Sequence, residues 1–279
     1  MHSWQTPPRA QAKLLLAGRG APLTVSSGRM SRYDFAARRL YVNPPLAQAA
    51  QIALDQTQAN YVRNVLRLAE GAKILVFNGR DGEWETRVAT SNRKRVTLAV
   101  DRLIRPQETR LDLHYLFAPL KLARQDYMVE KAVEMGAGLL RPVLTSRTRT
   151  SRINRERIHA HVIEAAEQCG ILSIPEIAPA MRLDALLGAW EKDRLLVFCD
   201  EDAPPCDPLA ALRSSADAKG LLALAVLIGP EGGFDSVERE ALLGVPFVIR
   251  LPLGPRVLRA DTAAVAALAL VQATLGDWR

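Results

Sequence analysis

The stretch LAVLIGPEGGF, residues 224–234, decides the fold: a run of Leu, Ala and Val ends abruptly in Gly229-Pro230-Glu231-Gly232-Gly233. The apolar run predicts a buried strand, and the residues after it carry almost no side chains. In open α/β sheets, ligands bind beyond the carboxyl ends of strands, where a bare glycine turn exposes main-chain N–H and C=O groups. An ordinary strand-to-helix turn explains the same residues equally well, so this stretch alone leaves both interpretations open.

A second unusual loop follows the next predicted strand, in LPLGPRVLRADTAA, residues 251–264. Pro252, Gly254 and Pro255 exclude regular structure there. Asp261 and Thr262 then begin a long predicted helix, at the end where main-chain N–H groups lack helical partners. Two consecutive strands that end in rigid loops predict a preformed pocket built largely from backbone.

The rhythm of the chain divides it into two parts at Pro106. Residues 39–105 predict a short strand, a helix over 56–68 and a three-stranded meander over 72–104, which fits a small β-barrel. From residue 110 strands and helices alternate, which predicts a parallel α/β domain. We therefore expect a small barrel domain over 30–106 and an α/β domain over 107–279. Residues 1–29 contain no acidic residue and no amphipathic period, and we expect them to be a disordered leader.

The net charge of +7 is distributed unevenly along the 279 residues. Residues 1–110 contain 18 Lys and Arg against 8 Asp and Glu, a net of +10, and the remainder has a net of −3. A basic module joined to a nearly neutral one favours binding of a polyanion by the first and chemistry by the second. A solvated basic surface is the alternative that charge alone leaves open.

Several classes of protein are excluded by composition and motif. No run of 18 apolar residues is present, so no membrane span is expected. The three cysteines form no CxxC and indicate a reducing compartment. The four histidines are scattered, so no metal site is expected. Neither a dinucleotide fingerprint after the first α/β strand nor a phosphate-binding P-loop is found.

Four stretches together resemble the bacterial RsmE family, the 16S ribosomal RNA uridine-N3 methyltransferases of the SPOUT superfamily. They are RLYVNPPL, then KLARQDYMVEKAVEMGAGLLRPVLTSRT, then EAAEQCG with IPEI, and finally IGPEGGF with LGPRVLRADTA, and they span about residues 39–275. The chain departs from the family pattern at Ala260-Asp261, where Thr-Glu is usual, and after EQCG, where an Arg is usual.

The resemblance implies a C-terminal SPOUT α/β trefoil-knot domain, preceded by a small PUA-like β-barrel that binds RNA. It implies a cytoplasmic homodimer that uses S-adenosylmethionine (SAM) and no metal to methylate N3 of one uridine, the uracil-1498 type site, in 16S rRNA of the 30S subunit. The residues that it implies for cofactor binding are Glu201, Ile228, Gly229, Pro230, Glu231, Gly232, Leu251, Leu253, Gly254, Val257, Leu258 and Arg259. It also implies that the strand LLVFCDE, which ends at Asp200-Glu201, lies near the cofactor.

Uracil N3 carries a proton and becomes a good nucleophile only when that proton leaves, so a base or a stabilising cation is required. Arg259 and Arg256 are the candidate cations, and Glu231 or Asp261 is the candidate base. A structural role for Glu231, and ion pairing of the two arginines within the dimer, are the alternatives that stay open.

Candidate RNA-binding residues are Arg38, Arg39, Arg63, Arg67, Arg93, Lys94, Arg95, Arg147 and Arg149. Another SPOUT RNA methyltransferase, acting on a ribose 2′-hydroxyl or another base, and a non-catalytic rRNA-binding assembly factor are the alternative functions.

Overall fold

The computed structural model describes residues 37–93, 95–149, 153–217, 223–246 and 248–278. The leader expected at residues 1–29 and the candidate Lys94 lie outside these ranges. The three cysteines, Cys169, Cys199 and Cys206, are free. Among the described residues, no helix has both the length and the apolarity that a membrane span requires.

A five-stranded sheet forms the first part of the fold, in the order β1-β3-β4-β5-β2. Its strands are β1 (Arg39–Tyr41), β2 (Gln51–Ala53), β3 (Lys73–Phe77), β4 (Glu83–Ser91) and β5 (Val96–Arg105). β1 pairs with β3 in parallel, and the other neighbours are antiparallel. The predicted meander over 72–104 is therefore confirmed as β3, β4 and β5, whereas β2 was not predicted.

The helix expected over residues 56–68 is shorter than the sequence pattern suggests. α1 (Gln56–Asn60) begins at a capping box made by Asp55 and Gln58, and a single π-helical turn follows over Tyr61–Val65. Arg67 then adopts a φ of 53°, a left-handed conformation that a right-handed helix cannot contain, so the helical segment ends before it. The apolar residues of this segment, including Val62, pack into the core of the first sheet.

The second part is a parallel sheet whose main order is β12-β10-β11-β6-β7-β8. Its strands are β6 (Leu113–Phe117), β7 (Leu139–Leu144), β8 (Glu176–Ile177), β9 (Met181–Arg182, paired with β7), β10 (Arg194–Cys199), β11 (Ala223–Ile228) and β12 (Val248–Leu251). The helices are α2 (Leu122–Glu134), α3 (Arg155–Cys169), α4 (Leu183–Gly188), α5 (Pro208–Asp217), α6 (Ser236–Leu243) and α7 (Ala260–Thr274). The predicted parallel α/β architecture is confirmed, with β8, β9 and α5 as unpredicted additions; the trefoil knot stays a prediction.

Apolar residues cover both faces of the parallel sheet, as the nearly continuous hydrophobic strands require. The larger cluster includes Leu113, Tyr115 and Phe117 of β6 and contacts α2, α3 and α7. The smaller cluster includes Leu116 of the same strand and contacts α4 and α6. Burial on both faces leaves the ends of the strands as the places where polar ligands have access.

The first sheet is connected to α3 by hydrogen bonds, one of which comes from an ion-pair cluster within that sheet. The main-chain N–H of Tyr41 in β1 donates to the carboxylate of Glu167 in α3 at 2.8 Å. In the first sheet, the buried Glu83 accepts from Arg39 and Arg105, both at 2.8 Å, and Arg105 also donates to the carbonyl of Gly170. The first sheet is thereby attached to the α/β domain at the end of α3.

Candidate active site

The loops after β10, β11 and β12 meet at one edge of the parallel sheet. β10 lies between β11 and β12 and runs parallel to both, so the carboxyl ends of the three strands are neighbours. The loops enclose a cavity of about 690 Å³. Such an edge is where open α/β sheets bind their ligands, and a cavity of this size holds a cofactor or a drug-sized molecule.

The turn after β11, residues 229–233, is shaped by its glycines. A Cβ at Gly229 would lie 2.6 Å from Cε2 of Phe234, whose ring packs edge-on against Phe198. Gly233 has a φ of 69°, and a Cβ there would lie 2.9 Å from the carboxylate of Glu201. A Cβ at Gly229 would meet the Phe234 ring, and the positive φ of Gly233 disfavours every residue that has a Cβ, so the cavity wall here is made of main chain.

The loop after β12 leads directly into α7. Gly254 has a φ of 88°, a conformation that favours glycine. Arg259 is the extended N-cap residue of α7, and Asp261 lies in the first turn, where its carboxylate accepts from the N–H of Thr262 at 2.9 Å. The wall formed by this loop therefore combines apolar side chains with the amino end of a helix, which favours negative charge.

A third wall of the cavity is the loop after β10, of which the sequence predicts only the first two residues, Asp200 and Glu201. It contributes a series of residues up to the start of α5, among them Cys199, Asp200, Asp202, Ala203, Pro205, Cys206 and Pro208. Removal of the Cys199 thiol from water raises its pKa to about 12, so it stays protonated at neutral pH. A thiolate nucleophile is therefore not available from this residue.

The structure brings together almost all residues that the sequence suggested for cofactor binding and catalysis. The following residues line the cavity: Glu201, Ile228, Gly229, Pro230, Glu231, Leu251, Leu253, Gly254, Arg256, Val257, Leu258 and Arg259. Gly232 and Asp261 are the exceptions. The carbonyl of Gly232 accepts from Arg147, and Gly233 takes its place in the wall. Asp261, the alternative candidate base, lies in the first turn of α7 but does not line the cavity.

The loop after β7 is attached to the outside of the glycine turn. In addition to the contact between Arg147 and Gly232, the N–H and hydroxyl of Ser146 donate to the carboxylate of Glu238 in α6. Arg149, further along the same loop, is exposed. One basic side chain from the loop after β7, that of Arg147, therefore lies beside the turn that walls the cavity.

The candidate catalytic groups lie on the open side of the cavity. Arg256 and Arg259 are exposed, and within the described ranges neither guanidinium forms an ion pair or a hydrogen bond. Glu231 is also exposed, and Nη1 of Arg124 at the start of α2 lies 3.8 Å from its carboxylate. Two cations that line the cavity and have no partner among the described residues can bind an anionic group that enters from solvent.

The basic candidates on the first sheet differ in accessibility. Arg38, Arg67, Arg93 and Arg95 are exposed, and Arg63 is half-buried and donates to the carbonyl of Asn92. The expectation that Arg39 binds RNA is wrong, because its guanidinium is buried against Glu83 and cannot reach a phosphate. Arg39 and the next residue, Leu40, are both buried, so strand alternation does not predict the burial of Arg39, whose partner Glu83 is 44 residues away.

Matches to known protein families assign the chain to a class of RNA-modifying enzymes. The sequence model of the RNA methyltransferase domain family matches residues 107–272, and that of the RNA methyltransferase PUA domain matches residues 54–101. The chain belongs to the RNA methyltransferase family.

Relatives and solved structures agree with this assignment. Ribosomal RNA small subunit methyltransferase E of Rickettsia conorii is 28% identical over 235 residues, which is 84% of this chain and 94% of the relative. A methyltransferase of Legionella pneumophila, solved with bound SAM, is 28% identical with a TM-score of 0.70 and covers 85% of this chain and 97% of its own. The small subunit methyltransferase E of Neisseria gonorrhoeae has a TM-score of 0.76 at 22% identity, covering 87% of this chain and 100% of its own. The resemblance to the RsmE family is confirmed.

Proposed function

We propose that this protein methylates N3 of a specific uridine, the uracil-1498 type site, in 16S rRNA of the small ribosomal subunit, with SAM as methyl donor. The observation that carries the proposal is the cavity between the loops after β10, β11 and β12, which combines a main-chain wall with apolar side chains and with two arginines that no described residue pairs with. Two relatives named for ribosomal RNA methylation match along 84% and 86% of this chain.

The residues around the cavity fit SAM. Its volume of about 690 Å³ suits a ligand of that size, and the glycines leave main-chain donors and acceptors uncovered for an adenine and an amino acid group. Leu251, Leu253 and Leu258 supply apolar surface for a base, and Glu201 supplies an acceptor for hydroxyl groups. When bound, SAM supplies a methyl group made electrophilic by its sulfonium.

The chain's own task is to hold the uracil and to remove its N3 proton. Arg259 and Arg256 are proposed to bind the uracil and to stabilise the anion that forms when N3 loses its proton. Glu231 or Asp261 is proposed to accept that proton or to orient an arginine. The protonated Cys199 takes no part in nucleophilic catalysis. No metal is assigned a role: the one described group with suitable ligands, Glu130, His161 and Glu164, does not line the cavity.

RNA is proposed to contact both parts of the chain. The PUA-like part, residues 30–106, offers Arg38, Arg63, Arg67, Arg93, Lys94 and Arg95, and the methyltransferase part, residues 107–279, offers Arg147 and Arg149. Replacing one arginine that binds a phosphate by alanine should reduce the slope of log affinity against log salt by roughly 1. The target base must be exposed or flipped out to reach the cavity.

We also propose a cytoplasmic homodimer, as in the family that the sequence resembles. Large apolar side chains on the surface of the α/β domain support a second copy as partner: Leu122 of α2 is 63% exposed and Val257 beside the cavity is 83% exposed. The free cysteines are consistent with a reducing compartment. Sedimentation analysis of the purified chain tests the dimer.

The proposed function is tested by methylation of 30S particles from a strain that lacks the enzyme, followed by mass spectrometry of the rRNA nucleosides. Formation of 3-methyluridine is the expected result. A 2′-O-methylated or differently methylated nucleoside would assign the chain to another SPOUT activity. Absence of SAM binding in a calorimetric titration would instead favour a non-catalytic assembly factor.

A further inference from the structure

Asp200, the first residue after β10, is a buried carboxylate at the centre of the cavity edge. Only 5% of the residue is exposed. Because β10 lies between β11 and β12, Asp200 has the glycine turn on one side and the loop after β12 on the other. The mechanism proposed for uracil methylation makes no use of it.

Two arginines from different elements hold this carboxylate. Arg239 of α6 donates to both oxygens, at 3.2 and 2.9 Å, and Arg250 of β12 donates to Oδ2 at 2.7 Å. The N–H of Asp202 donates to Oδ1 at 3.1 Å, and Arg250 also donates to the carbonyl of Asp202. Burial opposes the charge of Asp200, but the hydrogen bonds from Arg239 and Arg250 outweigh it and lower the pKa of the carboxyl below its ordinary value.

Each arginine belongs to an element that continues one wall of the cavity. Arg239 lies in α6, which follows the glycine turn, and Arg250 lies in β12, one residue before Leu251, with which the strand ends. Asp200 itself begins the third wall, and the next residue, Glu201, reaches the glycine turn at Gly233. One carboxylate thus connects all three loops.

From this arrangement we infer that Asp200 is a positioning residue for the methyl donor, which fixes the three loops in the geometry that binds SAM before SAM arrives. The inference rests on the proposed function. Fixing the loops in advance removes the free-energy cost of ordering them when SAM binds, so the loss of the Asp200 carboxylate should appear mainly as weaker SAM affinity. The rate at saturating SAM depends on the groups that contact the uracil and should change less.

Calorimetric titration of SAM into the full-length Asp200→Asn variant tests this inference. Loss of hydrogen bonds to a charged group should raise the dissociation constant by about tenfold or more. In steady-state methylation, the KM for SAM should rise while kcat falls by a smaller factor. An unchanged dissociation constant, or a fall in kcat with KM unchanged, would overturn the inference.

Glu83→Gln is the matched control, because Glu83 is also a buried carboxylate held by two arginines but lies in the first sheet, away from the cavity. It should bind SAM as the wild type does; equal losses of affinity in both variants would show general destabilisation and refute a positioning role. If Asp200→Asn does not fold, the SAM affinities of Arg250→Lys and Arg250→Met test the inference instead. Lys should keep part of the affinity and Met should lose it, and equal affinity in both variants would overturn the inference.

A wild-type protein that does not bind SAM would refute the proposed function itself. Failure of the proposed function is thereby distinguished from failure of the inference about Asp200.

Discussion

Replacing Gly229 by Ala tests whether the bare main chain of the glycine turn is needed for ligand binding. The added Cβ would lie 2.6 Å from Cε2 of Phe234, about 1 Å closer than the ~3.5–4.0 Å at which carbon atoms pack. The Phe234 ring cannot move freely, because it contacts Phe198 edge-on with ring centroids 5.2 Å apart. Either the ring or the turn must therefore shift.

The cost of such overpacking is typically about 1–3 kcal/mol. If the turn shifts, its main-chain groups move away from the ligand, and the same energy corresponds to a rise of roughly 5- to 150-fold in the dissociation constant for SAM. Calorimetric titration measures this rise, and urea unfolding measures the part of the cost that falls on stability. We expect weaker SAM binding together with a small loss in the free energy of unfolding.

Two further variants make this result specific. Gly188→Ala places a Cβ where no described atom lies within 4 Å, so stability and SAM affinity should stay close to wild type. Phe234→Leu combined with Gly229→Ala removes the clashing ring atoms, so the double variant should lose less affinity than the sum of the two single changes. Wild-type SAM affinity in Gly229→Ala, with the fold intact, would refute the main-chain account of the cavity.

Three further predictions concern a catalytic group, a buried ion pair and acid stability. Arg259→Ala should abolish methylation with unchanged circular dichroism, because the anion at uracil N3 loses the cation that stabilises it. Arg213→Ala, on α5, is the control and should stay active. Normal turnover by Arg259→Ala would rule out a catalytic role for Arg259. Glu83→Gln should lower the free energy of unfolding in urea by about 3–5 kcal/mol, because the buried Arg39 and the half-buried Arg105 lose the charge of the carboxylate between them. The partly exposed Glu85 should cost about 1 kcal/mol or less when changed to Gln, and similar losses in the two variants would contradict the difference in burial. The pKa of the Asp200 carboxyl is lowered in the folded state, so its contribution to stability is complete above the ordinary pKa of 3.8 and is lost as pH falls through the folded-state pKa. The Tm difference between wild type and Asp200→Asn should therefore be constant near neutral pH and shrink in acid. A Tm difference that grows in acid would contradict this prediction.

The α/β part of the fold was predictable because its strands are apolar throughout and its helices carry clear end signals. Asp235 with Glu238 forms the capping box that begins α6, and Gly170, with a φ of 64°, ends α3. α5 was missed although Asp207 and Pro208 provide an N-cap and a first helical residue, because the segment before it, rich in Pro and Asp, resembles an irregular loop.

The candidate site was predictable where glycine and proline dictate the backbone, and unpredictable where burial decides. Gly229, Gly233 and Gly254 follow from the local sequence, since their conformations or surroundings exclude side chains. The cage around Asp200 depends on β10 lying between β11 and β12, an order that the chain does not reveal locally. Arg39 was misjudged for the same reason, because its partner Glu83 is 44 residues away.

The central claim, that the loops after β10, β11 and β12 bind the methyl donor through their main chain, is tested most directly by a crystal structure of the protein grown with SAM. The account predicts density for the donor inside the cavity, in contact with main-chain atoms of residues 229–233 and 251–258. Density at another place on the molecule, or an empty cavity at saturating SAM, would contradict it.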